Sequence, residues 1–573
     1  MFLCLRRLTN NRQFDRFASV AGHFAHSIPV NRHMPFRAAI MQSQTPPRSS
    51  DTGRIDAKKR KMSAKKVERA KKSSGFDEVL QIDIDQLLKT KWNGTTDSSL
   101  PEPFTEIELK ILDLSSTGDG LALSEGAEHV YVVPFTVPGD KVLAKVVRHY
   151  PALSYSIVDF IKVIEPGPKR DDSLVRCGYF AKCSGCQLQM MSYEDQLVHK
   201  KRVVEKAYSN FSGLLPELVP PVGDTFPSPM QYGYRTKLTP HFTSSHTNVR
   251  RKNRAYMEPP KEVPPIGFTY KNRRLDMDIE DCPLGTDIVR LGLKSERKRV
   301  ANNLGKFPKG ATLLLRESTT RIPKVDRDNG ESDFPLPPNE PGTDSGDVLR
   351  VEHDDFVDEK RCITDQNAMS VEYIDNYVLT NKAGAFFQNN NSILPGVTEF
   401  IRQHCVPENN DQDPKPVKYL LDAYSGSGLF TITLSPLFVS TMGIDVSGPS
   451  IDSARFNARA NHTSNTGFVD NDAATLFKDV PYPPDQTALI IDPPRKGCSD
   501  DFLRQLLSFA PRHVVYVSCN VHTQARDVAV LVEGDSQSKV RYEILSVRGF
   551  DFFPQTGHVE GVAILSKVSS SGQ

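Results

Sequence analysis

The apolar run His513-Val514-Val515-Tyr516-Val517 stops at Ser518-Cys519-Asn520. β-Branched and aromatic residues in succession predict a buried strand. A cysteine at the carboxyl end of such a strand opens into the ligand crevice of an α/β sheet. Cys519 is therefore the candidate nucleophile, whereas Cys362, Cys405 and Cys498 lack that context. Covalent addition to a substrate needs a group that later removes a proton, and the downstream acid is Glu560, which ends the segment from Gly549.

Two further motifs supply a place for a cofactor. Leu420-Leu421-Asp422-Ala423-Tyr424-Ser425-Gly426-Ser427-Gly428 reads as a strand running into a glycine-rich turn, with a helical pattern through Phe430 and Leu434. Asp445, about 20 residues on, stands where ribose hydroxyls are bound. The third glycine of the dinucleotide fingerprint is missing. That favours S-adenosyl-L-methionine, which has no pyrophosphate to cradle, over NAD. The strand Ala488-Leu489-Ile490-Ile491 then ends in Asp492-Pro493-Pro494-Arg495-Lys496-Gly497, where two prolines stiffen the turn and present Asp492 at the same edge.

Three closely spaced thiols, Cys177-x5-Cys183-x2-Cys186, and a remote Cys282 form a separate group. Four thiolates hold either a tetrahedral zinc or a cubane 4Fe–4S cluster. The spacing matches neither the usual zinc ribbon nor the tight C-x3-C-x2-C pattern, and Gly185 lets the backbone wrap closely around a bulky site.

These motifs must be positioned by a chain of 573 residues with 72 Lys+Arg, 70 Asp+Glu and a formal charge of +2. The average hides a basic tail (residues 1–74, 17 basic and 4 acidic groups) and an acidic segment (326–359, 12 acids and two bases). The length suggests about three domains after removal of tails. No apolar run approaches the ~20 residues that span a bilayer, which excludes an integral membrane protein. Nine cysteines are too few for a disulfide scaffold. The tail is Arg-rich and acid-poor at first, like a mitochondrial presequence, then carries Lys58-Lys59-Arg60-Lys61, like a nuclear-import signal. Nucleus, mitochondrion or both are its expected addresses, with the cytoplasm otherwise. Residues 104–164 show short alternating strands and turns that suggest a five-stranded barrel. Residues 170–316 form a central domain with the cysteines, 317–359 read as an acidic disordered insertion, and 370–573 read as a doubly wound α/β catalytic domain.

Taken together, Cys177/Cys183/Cys186/Cys282, Phe387-Gln388, the Asp422–Gly428 turn, Asp492-Pro493-Pro494-Arg495, Ser518-Cys519-Asn520 and His558-Val559-Glu560 resemble the RNA uracil-5-methyltransferases, nearest to the fungal tRNA (uracil-54-C5) branch. The resemblance spans roughly residues 104–567. It implies an α/β fold with a C-terminal Rossmann-like S-adenosylmethionine-dependent domain, an N-terminal TRAM-type OB-like barrel and a central α+β domain carrying a 4Fe–4S cluster. It further implies that Gln388, Tyr424, Asp445 and Asp492 bind the cofactor, that Cys519 adds to uracil C6, and that Glu560 is the general base. Phe387 and neighbouring aromatics would stack on the flipped base. Arg250-Arg251-Lys252 and Lys271 to Arg274 would meet phosphate, and the enzyme would act on tRNA as a monomer. Ribosomal or mitochondrial RNA, and a non-catalytic RNA-folding role, are the alternatives. Three departures from the family pattern are Ser184 for glycine, Leu429 for asparagine and Asp445 for glutamate.

Overall fold

The computed structural model describes residues 75–91, 100–123, 129–243, 261–324, 339–340, 342–407, 414–471, 477, 480–534 and 540–568. The basic tail with its targeting signals, and Arg250-Arg251-Lys252, lie outside the described residues. Among those described, no helix is long and apolar enough to cross a membrane.

The first layer is a helix, Phe76–Lys91, on a small sheet. The sheet has six strands, one more than the sequence suggests, because the two-residue strand Asp113–Leu114 joins its edge. Strand Lys141–Tyr150 alternates buried and half-buried positions, as expected of one face on a core. Strand Val130–Val133 is buried throughout. The reason is that Tyr131 and Val133 face the inner core with Val142 and Ala144, while Val130 and Val132 are covered by Leu80, Ile84 and Leu87 of the helix.

The central part holds two four-stranded sheets. The expectation of a disordered acidic insertion over 317–359 fails for the described residues of that range, which lie largely in strands. Strands Leu315–Pro323, Asp344–Glu352 and Phe356–Ile363 form an antiparallel ladder, with Arg316 opposite Ile363 and Pro323 opposite Phe356. The acids look unbalanced only when counted as a block, since several of their partners lie across the ladder. Asp358 meets Arg321 at 2.9 Å, Lys360 meets Glu317 at 2.7 Å, and Lys324 meets Glu352 at 2.9 Å. Cross-strand pairing neutralises what composition reads as a solvated run. Residues 325–338 and 341 lie outside the described part.

The last part is an eight-stranded mixed sheet. Its order from one edge is Thr466–Asp470, Ser440–Asp445, Tyr419–Ala423, Thr487–Ile491, His513–Ser518, Glu560–Lys567, Tyr542–Phe550 and Gly223–Phe226. The first five are parallel, and Glu560–Lys567 reverses direction against His513–Ser518. Strands Thr487–Ile491 and His513–Ser518 are buried along their whole length because helices cover both faces. Leu394, Ile401, Ile432 and Ile451 pack on one side, and Phe502, Leu506, Val521 and Val528 on the other. The strand order reverses direction between Tyr419–Ala423 and Thr487–Ile491, which opens a crevice at their carboxyl ends.

The second face is completed from outside this domain. Helix Tyr193–Phe211, whose first turn is capped by Ser192 Oγ accepting from the Asp195 N–H at 3.1 Å, buries Val203, Val204, Ala207 and Tyr208 in the same core. One turn along it, the Lys200 ammonium and the Asp551 carboxylate form an ion pair with no solvent exposure. Lys200 Nζ also donates to the Phe553 carbonyl at 2.9 Å, and Tyr193 Oη donates to Asp551 at 2.9 Å. Gln196 and Gln555 exchange hydrogen bonds of 2.9 and 3.1 Å nearby. On the other side of this loop Gly557 meets Gly118, where an added Cβ would sit 2.9 Å from the Gly118 Cα. The segment from Asp551 to Gly557 is thus gripped by the helix and by the small sheet.

Removing one member of a buried pair leaves the other charge uncompensated. Lys200→Met is expected to lower unfolding free energy by about 3–5 kcal/mol in chemical denaturation. The double change Lys200→Met with Asp551→Leu should recover at least half of that loss.

Candidate active site

Strand Tyr419–Ala423 turns at Tyr424, which has a φ of +66°, and continues through Gly426 and Gly428 at +53° and +91°. A left-handed tyrosine is strained, and such strain gathers where a backbone must present itself to a ligand. Gly428 caps helix Leu429–Thr433. Thr431 donates its N–H (2.9 Å) and its hydroxyl (2.6 Å) to Asp422 Oδ2, while Asp422 Oδ1 is buried with no hydrogen-bond partner. Burial pushes the Asp422 carboxyl up to about 7, with the Asp445 charge adding to the shift. Burial, then Asp422, pushes Asp492 up to about 7 as well. Two carboxyls thus wait for a positive charge.

Asp445 pins the turn from the next strand. Its Oδ2 accepts from the Gly426 N–H at 3.0 Å and its Oδ1 from the Ser447 N–H at 2.8 Å. Each oxygen keeps a second lone pair for a hydroxyl group. The ring of Tyr424 lies 5.5 Å from that of Phe502. Gln388 is buried in the segment after strand Tyr377–Lys382. Phe387, expected to stack on a base, instead belongs to the core under the Arg316 guanidinium, whereas Phe386 is 80% exposed. Two adjacent phenylalanines in a loop carry no periodicity that could have told them apart.

Cys519 and Glu560, the candidate nucleophile and base, meet through the sheet. Strands His513–Ser518 and Glu560–Lys567 pair antiparallel from His513 opposite Ser566 to Ser518 opposite Gly561. Continuing that register by one residue sets Cys519 opposite Glu560. Directly opposed residues put their side chains on one face, with Cβ atoms about 5 Å apart. The thiol is pushed up to about 11, chiefly by burial, then by Glu560 and Asp492, while a hydrogen bond and the charge of Arg495 oppose the shift. Glu560, 4% exposed, is pushed up to about 8 by burial and Asp492, again opposed by Arg495. One cation and two acids therefore surround the thiol. A cavity of about 340 Å³ opens beside it, lined among others by Thr117, Arg495, Lys496, Asn520 and His558.

The four grouped cysteines come together elsewhere. Cys177, Cys183, Cys186 and Cys282 line one cavity of about 150 Å³, with no lining residue shared with the cavity at Cys519. Burial, and then the neighbouring thiols, push Cys183 up to about 11. Among the described residues no group of three or more His, Cys, Asp or Glu is arranged to hold a metal ion. Ser184 is accommodated by Thr269, whose carbonyl accepts its N–H at 3.0 Å and whose hydroxyl lies 3.1 Å from its own. Two of the cations expected to face RNA are bound within the protein, Lys271 to Asp119 and Arg273 to Asp159, both at 2.7 Å.

The pH dependence of stability follows from the raised carboxyls. Each binds its proton more tightly folded than unfolded, so its contribution is fully present below its ordinary value of about 4 and is lost as pH rises through 7 to 8. Five histidines held neutral, His129, His199, His513, His522 and His558, act in the opposite sense up to their ordinary value of 6.5. Urea denaturation should therefore show stability falling above that value, between about pH 6.5 and 8. Glu560→Gln should make that fall shallower. An unchanged slope would remove Glu560 from the account.

Residues 348–480 match the family described as tRNA (Uracil-5-)-methyltransferase. The tRNA (uracil(54)-C(5))-methyltransferase of Schizosaccharomyces pombe is 38% identical, over 99% of this chain and 96% of that protein. Its Saccharomyces cerevisiae namesake is 35% identical, over 99% and 92%. Among solved structures, the Pyrococcus abyssi tRNA (uracil-54, C5)-methyltransferase in complex with S-adenosyl-L-homocysteine shares the fold, at a TM-score of 0.53 and 22% identity, covering 80% of this chain and all of that one. An α/β crevice with a paired thiol and acid, joined to this degree of identity along nearly the whole length, places the chain in the tRNA (uracil-5-)-methyltransferase family.

Proposed function

We propose that this enzyme methylates C5 of uridine 54 in tRNA with S-adenosyl-L-methionine, through a covalent adduct between Cys519 and uracil C6. The observation that carries the reading is the register that opposes Cys519 and Glu560; the names of the fungal relatives support the substrate. The turn at Tyr424, the hydroxyl-accepting Asp445, the raised Asp422 and Asp492 and the buried Gln388 are the residues that would hold the cofactor. They fit it because Asp422 and Asp492 are pushed up by burial, one with an unpartnered oxygen, and a cationic ligand would draw both toward their charged forms. When bound, S-adenosyl-L-methionine supplies an electrophilic methyl group and a positive charge.

The protein's own part runs as follows. The target uridine leaves its stack, at a cost of a few kcal/mol. Arg495 stabilises Cys519 as a thiolate, whose sulfur adds to C6 and moves the C5–C6 electron pair toward O4. C5, now nucleophilic, would take the methyl group that the cofactor supplies when bound, the carbon–sulfonium bond breaking as the new bond forms and S-adenosyl-L-homocysteine leaving as a neutral thioether. Glu560 removes the C5 proton, the electron pair re-forms C5=C6, and the C6–S bond breaks to return the thiolate.

The same proposal extends to the four thiols, as ligands of a 4Fe–4S cluster. Their lining of one shared cavity supports this reading. No step above passes through it. The small N-terminal sheet, as a TRAM-type barrel, and the basic tail would add RNA contacts, and the tail would direct the enzyme to nucleus or mitochondrion.

With unmodified tRNA, wild type should yield 5-methyluridine at position 54, and Cys519→Ala should be slower by on the order of 10³-fold or more. Glu560→Gln should accumulate a denaturation-resistant protein–RNA adduct that Cys519→Ala never forms. Methylation by Cys519→Ala at near wild-type rate would end the covalent reading, and methylation of another uridine would end the positional one. For the thiols, anaerobically purified protein should carry about four iron and four sulfide per chain, and one zinc instead would refute the cluster.

A further inference from the structure

The helix Val521–Glu533 begins two residues after Cys519, and one face of it grips the loop that carries Asp492 and Arg495. Asn520, the helix cap, donates from Nδ2 to the Arg495 carbonyl at 3.0 Å, and Thr523 Oγ1 donates to the same oxygen at 3.2 Å. Arg526 Nη2 donates to the Lys496 carbonyl at 3.0 Å. At the centre of this face Asp527 is 1% exposed and takes four donors. Its Oδ2 accepts from the Cys498 N–H at 2.7 Å and from Tyr516 Oη at 2.6 Å. Its Oδ1 accepts from Arg526 Nε at 3.0 Å and Nη2 at 2.7 Å. The loop passes so close that a Cβ on Gly497, whose φ is +78°, would lie 2.5 Å from Asp527 Oδ2.

We propose that Asp527 is a positioning residue, which fixes the Asp492–Cys498 loop from the nucleophile's own helix and so sets the Arg495 guanidinium against Cys519. The inference rests on the covalent reading above. It follows from where the contacts fall: Tyr516 lies three residues before Cys519 on its strand, Asp527 lies on the helix after it, and both meet Cys498 at the end of the loop. A shift of this anchor moves Arg495 relative to the thiol while leaving untouched Asp445, the Gly426 turn and Asp492, whose N–H donates to the Ala423 carbonyl at 3.4 Å. The groups that face the thiol are Glu560 from the neighbouring strand and Asp492 and Arg495 from the loop, with Lys496 and His558 lining the same cavity. Arg495 shares that cavity with Cys519, and its charge opposes the upward shift of the thiol.

The test uses the full-length enzyme at saturating cofactor and tRNA, with wild type and Cys519→Ala alongside. Asp527→Asn should lower kcat about 10- to 100-fold, leave KM for the cofactor within about threefold of wild type, and move the rising limb of the pH–rate profile up by about one unit. Arg526→Gln, at a half-exposed side chain that threatens folding less, should shift the limb the same way by a smaller amount. A wild type that transfers no methyl group would strike at the covalent reading instead. An active wild type, with both variants within twofold of it and an unmoved limb, overturns the inference. So does a loss of kcat in either variant without any movement of the limb, since general loosening of the fold would do that.

Discussion

A single reversal in an otherwise parallel sheet makes this active site. Had Glu560–Lys567 run parallel to His513–Ser518, its first residue would lie at the far end of the sheet from Cys519. Because it runs antiparallel, its start meets the end of His513–Ser518, in the register that opposes Gly561 to Ser518. A slip of one residue would send the Glu560 carboxylate to the other face. The register is held by continuous burial on both faces of the two strands. It is also held by the loop before Glu560, which Lys200, Gln196 and Gly118 anchor from outside the domain. The small sheet and the central helix therefore hold the site from outside the domain, and Thr117 and Val203 also line the cavity beside Cys519.

The electrostatics have the same economy. Asp422, Asp492 and Glu560 are all buried or half-buried carboxyls held toward their protonated forms, and Asp492 appears in the environment of both Glu560 and Cys519. A resting site of this kind discourages thiolate formation. Arg495 is the counterweight within the protein, and a cationic ligand near Asp492 would be a second. Reactivity of the thiol thus depends on what is bound beside it, and an idle Cys519 is protected from stray chemistry.

The chemistry-bearing motifs were legible in the sequence because each is local. A strand ending in Ser518-Cys519-Asn520, a glycine turn after Asp422 and a proline-stiffened turn after Asp492 are written in consecutive residues. The acidic stretch around 344–359 was misjudged because neutralising partners such as Arg321, Lys324 and Arg361 fall outside the counted window. Phe386 and Phe387 could not be separated, since which of two adjacent rings is buried depends on Arg316 and on core residues far along the chain. Lys271 and Arg273 looked free for RNA because Asp119 and Asp159 lie more than a hundred residues away.

By itself, then, the order of residues determined which side chains can do chemistry and that they stand at strand ends, because strand period and turn-forming residues are local properties. Tertiary structure decided what those side chains feel. The facing of Cys519 and Glu560, the shared influence of Asp492 and Arg495, the gathering of four thiols around one cavity and the grip of Asp527 on a loop all join residues distant in sequence. Burial and charge act through space, and only the folded sheet brings those distances down to a few ångströms.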